Sequence, residues 1–353
     1  MSDKTPLTPR QSAIIRFAKT HSWFSASDVA TIATNTSPAT LRRDLSTLAG
    51  MGLLEKKGEN KGVKYALTEK NHLFLPYELG EYYRQDEDTR NARESYNFSL
   101  FPTLSEAPSL FHPEQLQRME EASRVFRSNA HDMSPSLHRR ELERFVIEFS
   151  WKSSKIEGNT YSLIDTEFLL RNGIEAEGKS KYEAKMILNH KKAYLFAVES
   201  MRENVPINTA YIEQLHRYVT DGLGVEHGVR DRIVGITGSR YTPLAMKQQL
   251  KEQLIALSEA IASRKKPYEQ ALVAVLGLSY LHPFEDGNKR TARVLANSLL
   301  LQHNYAPLSY RSVDEREYKE ATLIFYEQNS IQPFRELFVE QYVYSATHYN
   351  IAL

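Results

Sequence analysis

The sequence predicts a mainly α-helical protein, in which a winged helix-turn-helix domain precedes an all-helical core with one small β-hairpin. Two observations support this prediction, and a third, on charge, limits the function. The chain has 353 residues, too many for one ordinary domain. Helical apolar periodicity dominates from residue 113 onward, and β-like segments are few and short. With 41% hydrophobic residues, 25% charged residues and a net charge of +1, the chain is not a general polycation that coats nucleic acid.

The chemistry available to the chain is limited by its composition. Cysteine is absent, which excludes disulfides, thiolate metal ligands and a cysteine nucleophile. The opening residues, MSDKTPLTPR, lack the apolar stretch of a signal peptide, and no apolar run has the length of a membrane span. We therefore expect a cytoplasmic protein with no membrane partner.

Residues 8–70 predict a winged helix-turn-helix domain, with three helical patterns followed by two β-like pieces, LLEKK and KYALT. The third helical stretch, SPATLRRDLSTLAGMGLL, resembles the reading helix of DeoR-like bacterial regulators. That resemblance places Thr40, Arg42 and Arg43 on or beside a helix that enters a DNA major groove. The segment has more Lys and Arg than Asp and Glu, which favours phosphate contact. Winged helices also dock proteins, so both kinds of partner stay open.

The remainder of the chain divides into a connection and a helical domain. Residues 71–112 are rich in tyrosine and charge and lack clear periodicity, which predicts a linker or an irregular brace. Residues 113–345 carry successive helical patterns. One of them predicts a helix over residues 138–158, ending at a glycine and an asparagine suited to a left-handed C-cap.

The stretch HPFEDGNKRTAR, residues 282–293, is strongly polar although it lies between two apolar helical runs. Gly287 can adopt the positive φ that a tight loop requires. The backbone N–H groups of Gly287, Asn288 and Lys289 would then lie at a helix N-terminus, where the dipole favours an anion. We therefore predict a phosphate cradle in this loop.

Charged side chains of the same stretch add to the cradle. Arg290 and Arg293 are three residues apart, share a helix face and add positive charge. The carboxylate of Asp286 suits a Mg²⁺ ion that bridges phosphates. His282 can take up a proton near neutral pH without large pKa tuning. A base, a metal ligand and an anion cradle together predict phosphoryl or nucleotidyl transfer.

In this order the residues resemble the signature of the Fic family, His-x-Phe-x-Asp/Glu-Gly-Asn-Gly-Arg-x-x-Arg. The matching positions are His282, Phe284, Asp286, Gly287, Asn288, Arg290 and Arg293. The resemblance implies a protein adenylyltransferase, with ATP as substrate and Mg²⁺ on Asp286. His282 would deprotonate a Tyr, Thr or Ser hydroxyl of a target protein. Phe284 would anchor the loop in the core.

Lys289 departs from this pattern, since the family has a second glycine there. The related toxin Doc also carries Asn-Lys-Arg at this place, and it resembles a kinase that transfers the terminal phosphate. Doc-like sequences lack the preceding glycine and the last arginine, whereas Gly287 and Arg293 are present here. The resemblance therefore favours nucleotidyl transfer, with a Doc-like protein kinase as the alternative.

Upstream, SSKIEGN resembles the Fic inhibitory motif, Ser/Thr-x-x-x-Glu-Gly/Asn, through Ser153, Glu157 and Gly158. By that resemblance Glu157 pairs with Arg293 and occupies the guanidinium that otherwise holds the γ-phosphate of the nucleotide. The implied protein is self-inhibited, with its inhibitory helix N-terminal to the Fic core.

The β-like stretch GVRDRIVGITGSRYTPL resembles the flap hairpin with which the family aligns an extended target segment. Ile233, Val234 and Ile236 would form its edge, with Arg230 at the base.

Beyond the loop, Asn297, Tyr318 and Tyr326 fall where the family places residues on the nucleotide side, although a tyrosine on an apolar helical face is usually core. The expected partners are a target protein with a modifiable hydroxyl, which includes the protein itself, DNA through the winged helix, and a second copy in a homodimer. The alternative from another class is a DNA-binding transcriptional regulator with a nucleotide-sensing helical body.

Overall fold

The structure is a computed structural model that describes residues 7–21, 23–33, 36–131 and 133–351. The chain divides into two compact units, Met1–Leu75 and Pro76–Leu353. The predicted mainly helical class is confirmed, because the one sheet in the described residues is a two-stranded antiparallel hairpin. Among those same residues, no helix is long and apolar enough to cross a membrane.

The first unit has the predicted order of helices followed by a hairpin. Its elements are α1 (Pro9–Lys19), α2 (Ala26–Val29), α3 (Pro38–Gly50), β1 (Leu54–Lys57), β2 (Lys64–Leu67) and α4 (Glu69–His72). Helix α3 begins at Pro38 because the Ser37 hydroxyl accepts a hydrogen bond from a first-turn N–H group. The buried carboxylate of Asp44 on α3 pairs with Arg10 on α1, which fastens the two helices together.

The second unit is a helical bundle. Its helices are α5 (Leu79–Tyr82), α6 (Leu100–Glu106), α7 (Pro113–His131), α8 (Pro135–Ile156), α9 (Leu163–Asn172), α10 (Lys181–Arg202), α11 (Thr209–Thr220), α12 (Lys247–Ser263), α13 (Pro267–Leu281), α14 (Asn288–Leu301), α15 (Glu315–Gln328) and α16 (Gln332–His348). Nearly every residue of α13 and α14 is buried, so these two helices form the centre of the unit. The loop 282–287 joins them, so both of its ends are held by buried helices.

The stretch predicted to be a linker or brace belongs to the second unit from Pro76 onward. It packs on α15 through buried polar contacts. The Tyr82 hydroxyl donates to the Glu327 carboxylate at 2.6 Å, and the Arg90 guanidinium donates to the same carboxylate at 3.0 Å. The side chain of Glu327 is fully buried, so these contacts neutralise a charge inside the protein.

The β-hairpin predicted for the flap is not formed, because residues 228–244 contain no strand. Arg230 supplies the physical reason. Its guanidinium donates to the carbonyl of His282 at 2.8 Å, to that of Leu244 at 2.7 Å and to that of Arg232. Carbonyl groups at both ends of the segment are thus bound to a side chain rather than to a partner strand. The alternating sequence pattern instead reflects an irregular loop, in which Ile236 is buried and Ile233 is 74% exposed.

Candidate active site

His282 ends α13 in a left-handed conformation, with φ of 51°, and begins the loop to α14. Its Nδ1 lies 3.2 Å from the carbonyl oxygen of Ser279. A carbonyl only accepts, so Nδ1 carries the proton and Nε2 keeps a free lone pair. Burial lowers the pKa of His282 to about 4, opposed by the Ser279 hydrogen bond and supported by the charge of Lys289. The imidazole is therefore neutral near pH 7 and can accept a proton.

The backbone of the loop is fixed by the Asn288 side chain. Its Oδ1 accepts from the Phe284 N–H at 2.9 Å, and its Nδ2 donates to the Phe284 carbonyl at 2.9 Å. The Asn288 amide group therefore shapes the loop, and only the backbone N–H of this residue is left for an anion. Phe284 itself is fully buried.

Gly287 lies directly before α14, with φ of 79°, and no side-chain cap covers this helix N-terminus. A Cβ at this position would lie 2.8 Å from Cγ2 of Thr220 and 3.4 Å from Cγ1 of Val219. The first N–H groups of α14 lack intrahelical partners, and the helix dipole makes this end electropositive. This helix start has the backbone geometry on which the predicted anion cradle depends, and phosphate binding there stays a prediction.

Gly287→Ala should deform this cradle. The left-handed conformation and the close approach to Thr220 together cost roughly 1–3 kcal/mol. We expect a lower melting temperature and weaker ATP binding in a fluorescent-nucleotide titration. Gly235→Ala is the matched control, since Gly235 has open space around its Cα. Wild-type stability and ATP affinity in Gly287→Ala would contradict this account.

Asp286 is exposed, and its carboxylate binds two neighbours through the same oxygen. Arg290 Nη2 donates to Oδ2 at 2.7 Å, and the Tyr182 hydroxyl donates to it at 3.3 Å. The Arg290 side chain is buried, and its Nη1 has no hydrogen-bond partner among the described residues. A buried, unpaired guanidinium N–H beside the helix N-terminus is suited to a further anionic acceptor.

Arg293 on α14 is fully buried and is held by α8. Its Nη1 donates to Glu157 Oε1 at 2.9 Å, its Nε to Ser153 Oγ at 2.7 Å and its Nη2 to the Ser153 carbonyl at 2.8 Å. The ring of Tyr318 lies 5.5 Å from the guanidinium carbon. The structure thus brings together Ser153, Glu157 and Arg293, although 136 residues separate the two charged partners in sequence.

Glu157 occupies the C-cap of α8, and Gly158 follows with φ of 95°, which ends the helix. Burial raises the pKa of the Glu157 carboxyl, but Arg293, Lys289 and the hydrogen bond from Arg293 outweigh it and hold the pKa below its ordinary value. The glutamate is therefore ionised near pH 7. Its pairing with Arg293 also offsets the unfavourable helix dipole at this end.

The structure gives Asn297, Tyr318 and Tyr326 mainly structural surroundings. Asn297 is buried, donates to the Leu308 carbonyl at 3.1 Å and accepts from the Leu308 N–H at 2.7 Å. Tyr326 is fully buried, and Tyr318 lies against Arg293. A role of these residues towards a nucleotide stays a prediction, and Asn297 has both ends of its amide occupied.

His216 on α11 is a residue of the site that the sequence did not reveal. Its ring stacks on Phe284 with centroids 3.9 Å apart, and its Nε2 donates to the Asp286 carbonyl at 2.9 Å. His216 is fully buried, which lowers its pKa to about 4. A single histidine in an amphipathic helix carries no sequence signal of such a contact.

Acid should destabilise the second unit between about pH 6.5 and pH 4. His216 and His282 have native pKa values of about 4 but ordinary values of 6.5, so in this range the unfolded chain binds protons that the folded chain does not. The free energy of unfolding should therefore decrease as the pH is lowered from 6.5 to 4, by up to about 3 kcal/mol for each histidine. Trp23 and Trp151 are the two tryptophans of the chain, so Trp151 fluorescence in a Trp23→Phe background reports on the second unit alone. His216→Gln should flatten the pH dependence, and an unchanged slope would contradict this origin.

The part of the chain that contains this loop is similar to known proteins. Residues 206–300 match the model of the Fic/DOC family. Protein adenylyltransferase fic-1 of Caenorhabditis elegans is 29% identical over 206 residues, which cover 57% of this chain and 40% of that protein. Protein adenylyltransferase Fic of Drosophila willistoni is 31% identical over 193 residues, covering 53% of this chain and 38% of that protein. The chain thus spans about two-fifths of the length of these relatives.

Solved structures show the same fold. Fic-1 from C. elegans superposes with a TM-score of 0.58 at 22% identity, over 67% of this chain and 72% of the other. A Fic domain containing signaling protein from Bacteroides thetaiotaomicron superposes with a TM-score of 0.55 at 21% identity, over 65% of this chain and 94% of the other. The matched residues 206–300 include the whole loop from His282 to Arg293. Through this region the chain is similar to the Fic/DOC family.

Proposed function

We propose that the protein is a self-inhibited protein adenylyltransferase, which transfers AMP from ATP to a Tyr, Thr or Ser hydroxyl of a target protein. The observation that carries the proposal is the loop between α13 and α14. It sets a neutral histidine with a free Nε2 a few residues before an uncapped, electropositive helix N-terminus. The names of the curated relatives support the same reaction class.

Each of these residues would have a separate role in such a reaction. His282 Nε2 takes the proton from the target hydroxyl, and that oxygen then attacks the α-phosphate of ATP in line while pyrophosphate leaves. The N–H groups at the start of α14 and the Arg290 guanidinium bind phosphate oxygens. His216 and Arg230 hold the loop backbone in place through the carbonyls of Asp286 and His282.

Asp286 would hold Mg²⁺ together with the nucleotide phosphates. An exposed single carboxylate fits this ion, which is commonly bound by one or two carboxylates plus substrate phosphates. The described residues contain no group of three or more His, Asp or Glu side chains that could hold a metal ion. When bound, Mg²⁺ would neutralise phosphate charge.

Radiolabelled ATP tests the reaction and separates it from the kinase alternative. Label in the α-phosphate should reach protein, either the enzyme itself or a target in a cell extract, when Glu157→Gly is incubated with Mg²⁺. Label in the γ-phosphate should not. Intact-protein mass spectrometry of wild type, Glu157→Gly and Glu157→Gly/His282→Ala should show an adenylyl mass gain in Glu157→Gly alone.

Two outcomes would contradict the proposal. Transfer of the γ-label with a phosphoryl mass gain would assign a Doc-like kinase, for which Lys289 is the sequence indication. Transfer of neither label, together with no ATP binding by Glu157→Gly, would contradict a transferase function. The matched control is Glu203→Gly, because Glu203 is also the C-cap glutamate of a 22-residue helix but is exposed and remote from the loop in sequence.

A second candidate function, DNA binding by the first unit, is supported by the exposed face of α3. Arg42 and Arg43 are exposed and Thr40 is half-buried, while Leu41 and Leu45 face the core. An exposed helix face that carries adjacent arginines is suited to phosphate and base contacts.

Selection from random duplex DNA with the full chain tests this second function. If a site is recovered, Arg42→Ala/Arg43→Ala should weaken binding and reduce the slope of log affinity against log salt by about 2. Arg202→Ala/Lys251→Ala removes the same charge from exposed positions of the second unit and is the matched control. Failure to recover a site, or equal losses in both double variants, would leave protein docking as the role of the first unit.

A further inference from the structure

We call the hydrogen bonds of Arg293 with Ser153 and Glu157 the inhibitory contact. His190 on α10 lies beside this contact, although no sequence motif includes it. It is fully buried, and its Nε2 lies 3.2 Å from the Ser153 hydroxyl. Its ring stands edge-on to Phe149, with centroids 5.6 Å apart and planes at 89°. Its Nδ1 has no hydrogen-bond partner in the described part of the chain. The helix α10 thus reaches the same serine that holds Arg293.

The direction of these hydrogen bonds follows from the donors and acceptors involved. A guanidinium only donates, so the Ser153 oxygen accepts the Nε–H of Arg293. The Ser153 hydrogen must then point elsewhere, and the Nε2 of His190 is the acceptor at hydrogen-bond distance. His190 is therefore neutral, with its proton on Nδ1. Burial and the charges of Arg293 and Arg290 agree with this, since they hold the pKa of His190 well below its ordinary value.

We propose that His190 is a positioning residue of the inhibitory contact: it accepts the Ser153 hydroxyl hydrogen and so turns the Ser153 oxygen towards Arg293. The inference rests on the proposed function only in treating the contact as inhibitory. Glu157 supplies the charge that opposes Arg293, while Ser153 supplies two further acceptors. A hydroxyl that donates to one neighbour is a better acceptor for the next, because hydrogen bonds in a chain polarise one another.

This arrangement connects three helices. Arg293 belongs to α14, Ser153 to α8 and His190 to α10. The His190 ring also fills buried space beside Phe149, so its removal changes packing as well as hydrogen bonding. The variants must therefore distinguish loss of the hydrogen-bond acceptor of His190 from loss of its side-chain volume. Gln can place an acceptor oxygen near the Nε2 position, whereas Leu retains apolar volume without any acceptor.

The test compares adenylyl transfer in chains that keep Glu157. His190→Leu and Ser153→Ala should each raise the basal rate about three- to tenfold, as expected for the loss of one buried hydrogen bond. His190→Gln should stay at the wild-type rate. His190→Leu/Ser153→Ala should be no faster than the faster single variant, since both changes break the same contact. In the Glu157→Gly background, His190→Leu should have no effect beyond assay error.

A readout that does not need activity decides the hydrogen-bond direction. Long-range ¹⁵N–¹H spectra of the wild-type chain labelled in histidine distinguish the two neutral tautomers from the cation. His190→Gln identifies the resonances of His190 by their disappearance. We expect the neutral form with the proton on Nδ1, and a shift of the Nε2 resonance in Ser153→Ala, which a ring that only fills space would not show.

The outcomes separate this inference from the proposed function. Absence of adenylyl transfer in Glu157→Gly would defeat the proposed function, and the spectra would still test the His190 contact. A proton on Nε2, an imidazolium, or a His190→Gln rate equal to that of His190→Leu would overturn the inference while leaving the reaction in place.

Discussion

Glu157→Gly should raise adenylyl transfer roughly 10- to 100-fold over wild type. The Arg293 guanidinium now donates to Glu157 at 2.9 Å, and a phosphate that needs the same donor must displace this carboxylate. A hydrogen bond to a charged group contributes about 1.5–3 kcal/mol, and each 1.36 kcal/mol corresponds to a factor of ten in rate. Initial rates at saturating ATP and Mg²⁺, compared with those of Glu203→Gly, measure the effect.

The same substitution should lower stability. Without Glu157 the fully buried Arg293 loses its opposite charge, and unpairing a buried charge typically costs about 3–5 kcal/mol. The Glu157 side chain is 20% exposed, so water can reach its place and the loss should lie towards the lower end. Higher activity with a lower melting temperature is the expected signature, and ATP should recover part of the stability. A variant that is no faster than wild type would remove the inhibitory role.

His282→Ala should reduce transfer in the Glu157→Gly background by about 10²–10⁴-fold, the range typical of a general base. ATP affinity should change little, because the proposed anion cradle consists of the start of α14 and Arg290 and does not include His282. Transfer is measured as incorporated α-label, and ATP affinity by titration with a fluorescent nucleotide. Undiminished transfer would refute the assignment of His282 as the base.

His303→Ala provides the matched control for this loss. His303 is an exposed histidine just beyond the C-terminus of α14, and its removal changes neither the loop nor the buried centre of the unit. A similar loss in both variants would indicate a general effect of histidine replacement. We expect His303→Ala to retain the rate of its parent.

Local chemistry of the site was predictable from sequence, because it lies in contiguous stretches whose order carries meaning. The positive φ of Gly287 and the position of Asn288 at a helix start followed from residue type alone. The pairing of Glu157 with Arg293 is different, since it joins residues far apart in the chain. Only a family resemblance pointed to it, as no periodicity or spacing specifies contacts between α8 and α14.

The contacts that support the site were not predictable. His216 and His190 are single histidines in amphipathic helices, and their roles depend on which neighbours the packed helices bring within hydrogen-bond distance. The predicted flap hairpin was wrong for a related reason. The pattern of residues 228–244 alternates, but the Arg230 side chain binds the carbonyl groups of Arg232 and Leu244, which a strand pair would need. A long-range side-chain contact therefore outweighed the local β propensity.

The joining of Glu157 and Arg293 within one chain has a consequence for how the proposed inhibition would respond to dilution. Both partners are covalently connected and held by packed helices, so their effective concentration is set by the fold and not by the amount of protein. Inhibition of this kind would stay constant from a dilute assay to a crowded cell. It would yield only to a ligand that binds the separated arginine more tightly than the paired one, because a ligand with equal affinity for both states shifts neither.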